Sequence, residues 1–198
     1  ETPQWDAIRA QFPVLDHEGH GKRLAYLDSA ASSQMPQQVI ETIVEYQQEH
    51  HSNIHRGVHA LSQRATDLFE DARSRVRGFI NAREDAECIF TRGATEAINL
   101  VAHGFGRKFL QEGDQVIITA MEHHSNIVPW QMLREERGIE LVVVPMTDDG
   151  RIEPQAFEAA FTDRTRLVAC IHVSNALGTI NPIQRFAEIS HAHDVPIL

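Results

Sequence analysis

Positive charge is scarce in this chain. Lys and Arg together number 18 against 28 Asp and Glu, which gives a net charge of -10, and the cations form no basic stripe. Such a surface repels phosphate backbones, so nucleic acid is excluded as a partner. Long apolar runs are missing too. Nothing approaches the ~20 residues that a helix needs to cross a bilayer, and no membrane span is expected. The start, ETPQWDAIRAQFP, has no basic region leading into an apolar one, so it does not resemble a secretory signal and the expected compartment is the cytoplasm. Cysteine is limited to Cys88 and Cys170, far apart and without CxxC spacing. Both sit in apolar runs, ECIFT and LVACIHV, where a thiol serves as a small buried hydrophobe, and neither is expected to be a nucleophile. HExxH is absent and no metal site is expected. Repeats, low-complexity tracts and Ser/Gly linkers are absent as well.

What is present is an ordinary globular composition, 42% hydrophobic and 23% charged, over a length that can bury a substantial core. The opening carries an amphipathic turn, WDAIRAQFP, and then a polar turn, DHEGHGK, before the short apolar run LAYLD. Apolar spacing predicts a helix from Pro36 to about His51 and a second from about Ala60 to Ile80. Beyond these, short β-rich runs (ECIFT, QVIITA, LVVVP, RLVACIHV) alternate with helical segments (TEAINLVAHGFGRKFL, IVPWQMLREERG, PQAFEAAF, IQRFAEISHAHD). Continuous apolar runs fit strands covered on both faces, so the expected class is α/β, a mainly parallel sheet sandwiched by helices.

In sheets of that kind ligands collect beyond the carboxyl ends of the strands. After ECIFT comes RGATEAINL, where Gly93 permits a tight turn and Ala94 and Thr95 open a helix whose free N–H groups could hold a phosphate; a simple Thr cap is the alternative. After QVIITA comes MEHHSNIV. Neighbours at a strand end point to opposite sides, so His123 and His124 are not expected to share one site. One imidazole can stack on a flat cofactor and exchange protons near neutral pH, leaving the other structural or solvent-facing. After RLVACIHV comes SNALGTINP, where the Asn175 amide could donate to an oxygen on a bound ring, or could only close a turn before Gly178. Together the three strand ends describe a pocket for a phosphorylated aromatic ring.

LAYLDSAASSQMP, NIHRGVHALSQRAT, FTRGATEAINLVA, MEHHSNIVPWQ and HVSNALGTINP, in this order and spacing, resemble the pyridoxal-phosphate-dependent cysteine desulfurases of the sulfur-mobilisation type, a group that includes cysteine desulfurase/selenocysteine lyases. The resemblance covers essentially the whole chain. It implies an incomplete large domain of the class V aminotransferase, fold type I architecture, with residues 24–198 as its N-terminal portion and residues 1–23 packing with a small domain. It implies pyridoxal 5'-phosphate as cofactor, Ala94 and Thr95 as phosphate contacts, His123 as the catalytic ring stacked on the pyridine, and Asn175 as donor to the phenolic oxygen. Ala30 and His55 would line the substrate side, and Arg56 would be a substrate or interface contact. His55 and His59 could equally form a helix-cap cluster, and His50 and His51 are expected to be solvated.

The activity so implied takes L-cysteine to L-alanine and leaves sulfur as a persulfide on an enzyme cysteine. A sulfur-acceptor protein then collects it for iron-sulfur cluster assembly, and the enzyme is a homodimer. L-selenocysteine as substrate, another lyase of the same cofactor class, and a non-catalytic scaffold for the acceptor remain as alternatives. The aspartate facing the pyridinium, the Schiff-base lysine and the nucleophilic cysteine are expected beyond Leu198. HDVPIL reads as a strand stopped before its functional end, so the chain is expected to be the N-terminal part of a protein about twice as long. Lys22 and Lys108 are the only lysines. Lys108 lies near the far end of the helix that RGATE begins, roughly 20 Å from its start at about 1.5 Å per residue. Residues 1–198 alone are therefore expected to show no desulfurase turnover.

Overall fold

The computed structural model describes residues 4–198, and Glu1–Pro3 of the ETPQW start lie outside the described residues. The chain forms two compact units, Glu1–Phe90 and Thr91–Leu198. Among the described residues no helix is long and apolar enough to cross a membrane.

The first unit opens with α1 (Trp5–Arg9), a 3-10 turn (Pro13–Asp16) and the hairpin β1 (Glu18–Gly19) to β2 (Lys22–Arg23). His20 and Gly21 both take positive φ, 54° and 70°, the backbone twist that a two-residue hairpin turn needs. The Arg9 guanidinium donates to the carbonyls of Leu15 (2.6 Å) and Leu24 (2.8 Å), which fixes α1 on the hairpin's exit. Then α2 (Gln37–Glu45) runs on into a π turn, Tyr46–His50, filling the helix expected over 36–51. The next helix, α3 (Ala60–Ile80), has the expected bounds. His59 caps it, its Nδ1 accepting from the Ser62 amide at 3.3 Å, and Asn81 ends it in the left-handed region with φ 57°. Between α2 and α3 runs an apolar groove of about 460 Å³, lined in part by Ile43, Tyr46, Leu68 and Phe69.

ECIFT does not form the expected strand. Residues 88–90 are irregular after a 3-10 turn (Asp85–Glu87), and Ile89 and Phe90 are 69% and 47% exposed. A strand exists only through a ladder, and among the described residues none pairs with this run.

In the second unit α4 (Ala94–Val101), a π turn (Ala102–Gly106) and α5 (Arg107–Phe109) make one continuous helical run. There follow β3 (Gln115–Thr119), α6 (Val128–Arg137), β4 (Glu140–Val144), α7 (Pro154–Glu158), β5 (Thr165–Ala169) and α8 (Ile183–Ala192). The sheet order is β4-β3-β5, parallel throughout. On the free edge of β5 the terminal residues run parallel, through Val168 N to Pro196 O (3.0 Å) and Leu198 N to Val168 O (2.8 Å).

Side-chain alternation along β3 builds a core on each face. Val116 and Ile118, with Leu167 and Ala169 of β5, pack against Ala102, Trp130 and Leu133. Ile117 and Val168 face the other way, onto Phe157 of α7 and Phe186 and Ile189 of α8. This is the helix-sheet-helix sandwich expected from the unbroken apolar runs. Gly106 lets the π turn pack closely on α6: a Cβ there would come within 2.5 Å of Leu133 Cδ1, and that side chain would have to shift.

Phe157 is fully buried and stacks on Phe186 at 4.3 Å between ring centroids, with Phe161 at 5.4 Å. Phe157→Ala is expected to cost about 3–5 kcal/mol, read as a lowered denaturant midpoint at unchanged slope, with Phe157→Leu costing clearly less.

Candidate active site

Because β3 and β5 pair in parallel, the segments that follow Thr119 and Ala169 leave the sheet at the same edge. The paired histidines belong to the first of these, although not as strand residues. The strand stops at Thr119, and His123 caps a 3-10 turn, His124–Asn126. Alternation across a strand therefore does not separate the two rings, which lie edge to face with centroids 6.0 Å apart, both exposed. The reason is the turn's tight winding, closed by Asn126 N to His123 O (2.8 Å) and Ile127 N to His124 O (3.1 Å).

The His123 ring is oriented locally. Its Nδ1 accepts from the Ser125 amide (3.2 Å) and lies 2.8 Å from Ser125 Oγ. An acceptor at Nδ1 puts the proton of the neutral ring on Nε2, so the exposed edge presents a donor. Beside this turn lies α4. Its first amides, Ala94, Thr95 and Glu96, have no intrahelical acceptor, and no side chain caps them. Glu96 instead folds back on Arg92, accepting from its amide (2.6 Å) and its guanidinium (3.1 Å), and these bonds hold the Glu96 carboxyl below its usual range. The helix start is left open with a partial positive charge, the arrangement that receives an anion. The Thr95 hydroxyl has no partner among the described residues.

Asn175 does not leave the strand directly. Residues 173–180 form a hairpin, with Val173 bridging Ile180 and Gly178 N bonded to Ser174 O (2.9 Å), and Asn175 is exposed at its tip. The turn is made by Ser174 and Gly178 (φ 73°), which leaves the Asn175 amide uncommitted among the described residues.

Glu122, which is not among the residues expected at the site, links the end of β3, the turn and the segment after β5. The Glu122 carboxylate accepts from Thr119 Oγ1, from the Ile171 amide (2.8 Å) and from Asn126 Nδ2 (2.8 Å). Asn126 Oδ1 in turn accepts from the indole N–H of the buried Trp130 (3.1 Å). Side chains able to hydrogen-bond, spaced by four at 122, 126 and 130, are the available signal. Next to this carboxylate, burial, and then the charge of Glu122, push the Cys170 thiol up from 9.0 to about 12.

Ala30, His55 and Arg56 belong to the first unit. Ala30 is exposed in the turn that Ala31 N and Ser32 N close on Asp28 O (both 3.1 Å). His55 takes a left-handed backbone, φ 61°, its amide donating to Thr66 Oγ1 (3.0 Å) and its Nε2 lying 3.1 Å from Glu70. Arg56 is exposed. Of the two lysines, Lys22 is in β2 and Lys108 is in α5, at the opposite end of the helical run from Thr95.

Residues 25–198 match the family described as Aminotransferase class-V, and the chain belongs to that family. Within it, the chain is 51% identical over 191 residues to a probable cysteine desulfurase of Halalkalibacterium halodurans, covering 96% of this chain and 47% of that protein. It is 48% identical over 193 residues to a cysteine desulfurase of Escherichia coli O139:H28, covering 98% of this chain and 48% of that protein. A solved apo structure of a cysteine desulfurase from Thermococcus onnurineus NA1 superimposes with a TM-score of 0.88 at 34% identity, over 100% of this chain and 47% of that one. The chain thus spans about half the length of the curated relatives it matches.

The raised thiol makes Cys170 a poor nucleophile. Alkylation by iodoacetamide at pH 8 is expected to be slower than in the unfolded chain by on the order of a hundredfold or more. The unfolded thiol ionises first, so this group leaves stability unchanged below pH 9.0 and lowers it as pH climbs toward about 12. Cys170→Ala should remove that alkaline slope in a pH series of denaturant midpoints.

Proposed function

We propose that the full-length protein is a pyridoxal 5'-phosphate-dependent cysteine desulfurase. It converts L-cysteine to L-alanine, breaking the substrate C–S bond and leaving the sulfur as a persulfide on an enzyme cysteine other than Cys88 and Cys170. Identity of 51% and 48% to cysteine desulfurases along nearly the whole chain supports this reading. The observation that carries it is α4, a helix with an uncapped start, packed beside the turn that orients the His123 imidazole. Their donor chemistry fits the cofactor. The amides of Ala94 and Thr95 with the Thr95 hydroxyl suit a phosphate, the His123 face suits a pyridine ring, and the Asn175 amide suits a phenolic oxygen.

When bound, pyridoxal phosphate supplies the electron sink for bond making and breaking at the substrate carbons. The protein's part is orientation and proton handling. The turn holds the His123 ring by Ser125, so its face and its Nε2 proton are both directed outward, where the proton can be given up and regained. Ala30, His55 and Arg56 are proposed on the substrate side, with the left-handed backbone of His55 as support. A sulfur-acceptor protein serving iron-sulfur cluster assembly is the proposed consumer of the persulfide. The assembly is a homodimer, an inference supported by α2, which buries none of its residues although Val39, Ile40, Ile43 and Val44 line it.

Full-length protein with pyridoxal 5'-phosphate should release alanine from cysteine, and absence of alanine would sink the proposal. His123→Ala should lower turnover about 10²- to 10⁴-fold, the usual contribution of a positioned acid-base group. Light scattering on the full-length protein should give twice the chain mass. Ile43→Asp should shift it toward the monomer, whereas a wild-type monomer would refute the dimer.

A further inference from the structure

We propose that Glu122 is a positioning residue whose carboxylate holds the turn carrying His123 and the segment leading to Asn175 in one fixed arrangement. The inference rests on the reading of His123 and Asn175 as cofactor contacts.

Three segments meet on this side chain. Its Oε1 accepts from Thr119 at the end of β3 and from the Ile171 amide just beyond β5, and its Oε2 accepts from Asn126 in the 3-10 turn. The polarity of the network is dictated from the core. Trp130 is fully buried and its indole N–H can only donate, so Asn126 must turn Oδ1 toward it. The Asn126 NH2 group then faces Glu122, which must present an acceptor there as well as to Thr119 and Ile171. Residue 122 therefore needs two acceptor oxygens, which a carboxylate has and an amide lacks.

The consequences reach the proposed contacts from both sides. Asn126, once held, donates its backbone N–H to the His123 carbonyl (2.8 Å), closing the turn in which the Ser125 amide orients the His123 ring. On the other side the Ile171 carbonyl accepts from the Asn181 side chain (2.7 Å), so both polar backbone groups of Ile171 are fixed where the chain sets out toward Asn175. The Asn181 amide donates to the His172 carbonyl (2.8 Å) and anchors the return of the hairpin.

A charge swap tests this. Glu122→Gln sets two NH2 groups against each other or leaves the Trp130 donor unpaired. The double variant Glu122→Gln/Asn126→Asp restores every bond, because the new side-chain amide at position 122 can donate to the new carboxylate at position 126, and that carboxylate still accepts from Trp130. Amide hydrogen exchange on the full-length protein without cofactor is expected to quicken by about tenfold or more over 120–127 and over 170–176 in Glu122→Gln, and to return to within about twofold of wild type in the double variant. With the cofactor bound, the induced circular dichroism per bound pyridoxal 5'-phosphate should fall and recover in step. Should Glu122→Gln fail to fold, the double variant decides alone: wild-type exchange supports the inference, and an unfolded or fast-exchanging double variant overturns it. Faster exchange confined to 120–127, or no rescue by the swap, also overturns it. Failure of wild-type protein to take up the cofactor would sink the proposed function, with the exchange comparison still deciding the role of Glu122.

Discussion

The pairing of β3 between β4 and β5 is the constraint from which the rest of the Thr91–Leu198 unit follows. A central parallel strand must be covered on both faces, so its alternate residues commit two separate helix layers, one around Trp130 and one around Phe157. The same parallel sense brings the carboxyl ends of β3 and β5 to one edge, where backbone groups that have left the ladder need new partners. The polar side chains at that edge answer this need. Glu122 takes up the Ile171 amide, and Asn181 takes up its carbonyl.

That division of labour explains why the chemically suggestive residues are the uncommitted ones. The bonds around Thr95, His123 and Asn175 are made by their neighbours, while the first amides of α4 stay open. Glu96 answers the Arg92 amide, Ser125 fixes the His123 ring, and Ser174 with Gly178 closes the hairpin. The Thr95 hydroxyl and the Asn175 amide are left without partners among the described residues, and the His123 ring is exposed. At this edge both backbone groups of Ile171 are bonded, whereas the buried Asn181 Oδ1 has no partner among the described residues.

Much of this was legible in the residues. The helix over 60–80 was plain because its period repeats over five turns, and QVIITA, LVVVP and RLVA were plain because their apolar runs are too short and too continuous for a helix. ECIFT carries the same local pattern without forming a strand, since a ladder is a property of two segments and a local pattern describes only one. The period of two does not extend to the His123–His124 pair, because β3 ends at Thr119, four residues before it. Asn175 was placed on a strand that had already given way to a hairpin. Glu122 was hidden for a different reason: its role depends on Ile171, 49 positions along the chain, and no motif records such a contact.

The π turn at Ala102–Gly106 has a geometric effect of its own. One residue more than an α-helical turn requires rotates everything beyond it by about 100° relative to α4. That rotation brings Arg107 round to Glu136 on α6, where its guanidinium makes a two-pronged pair, Nε to Oε2 at 3.1 Å and Nη2 to Oε1 at 3.0 Å. A helix drawn through AHGFG without the extra residue would aim Arg107 elsewhere. The π turn thus acts as a phase shifter, letting one helical run pack on the core with its first half and grip a neighbouring helix with its last.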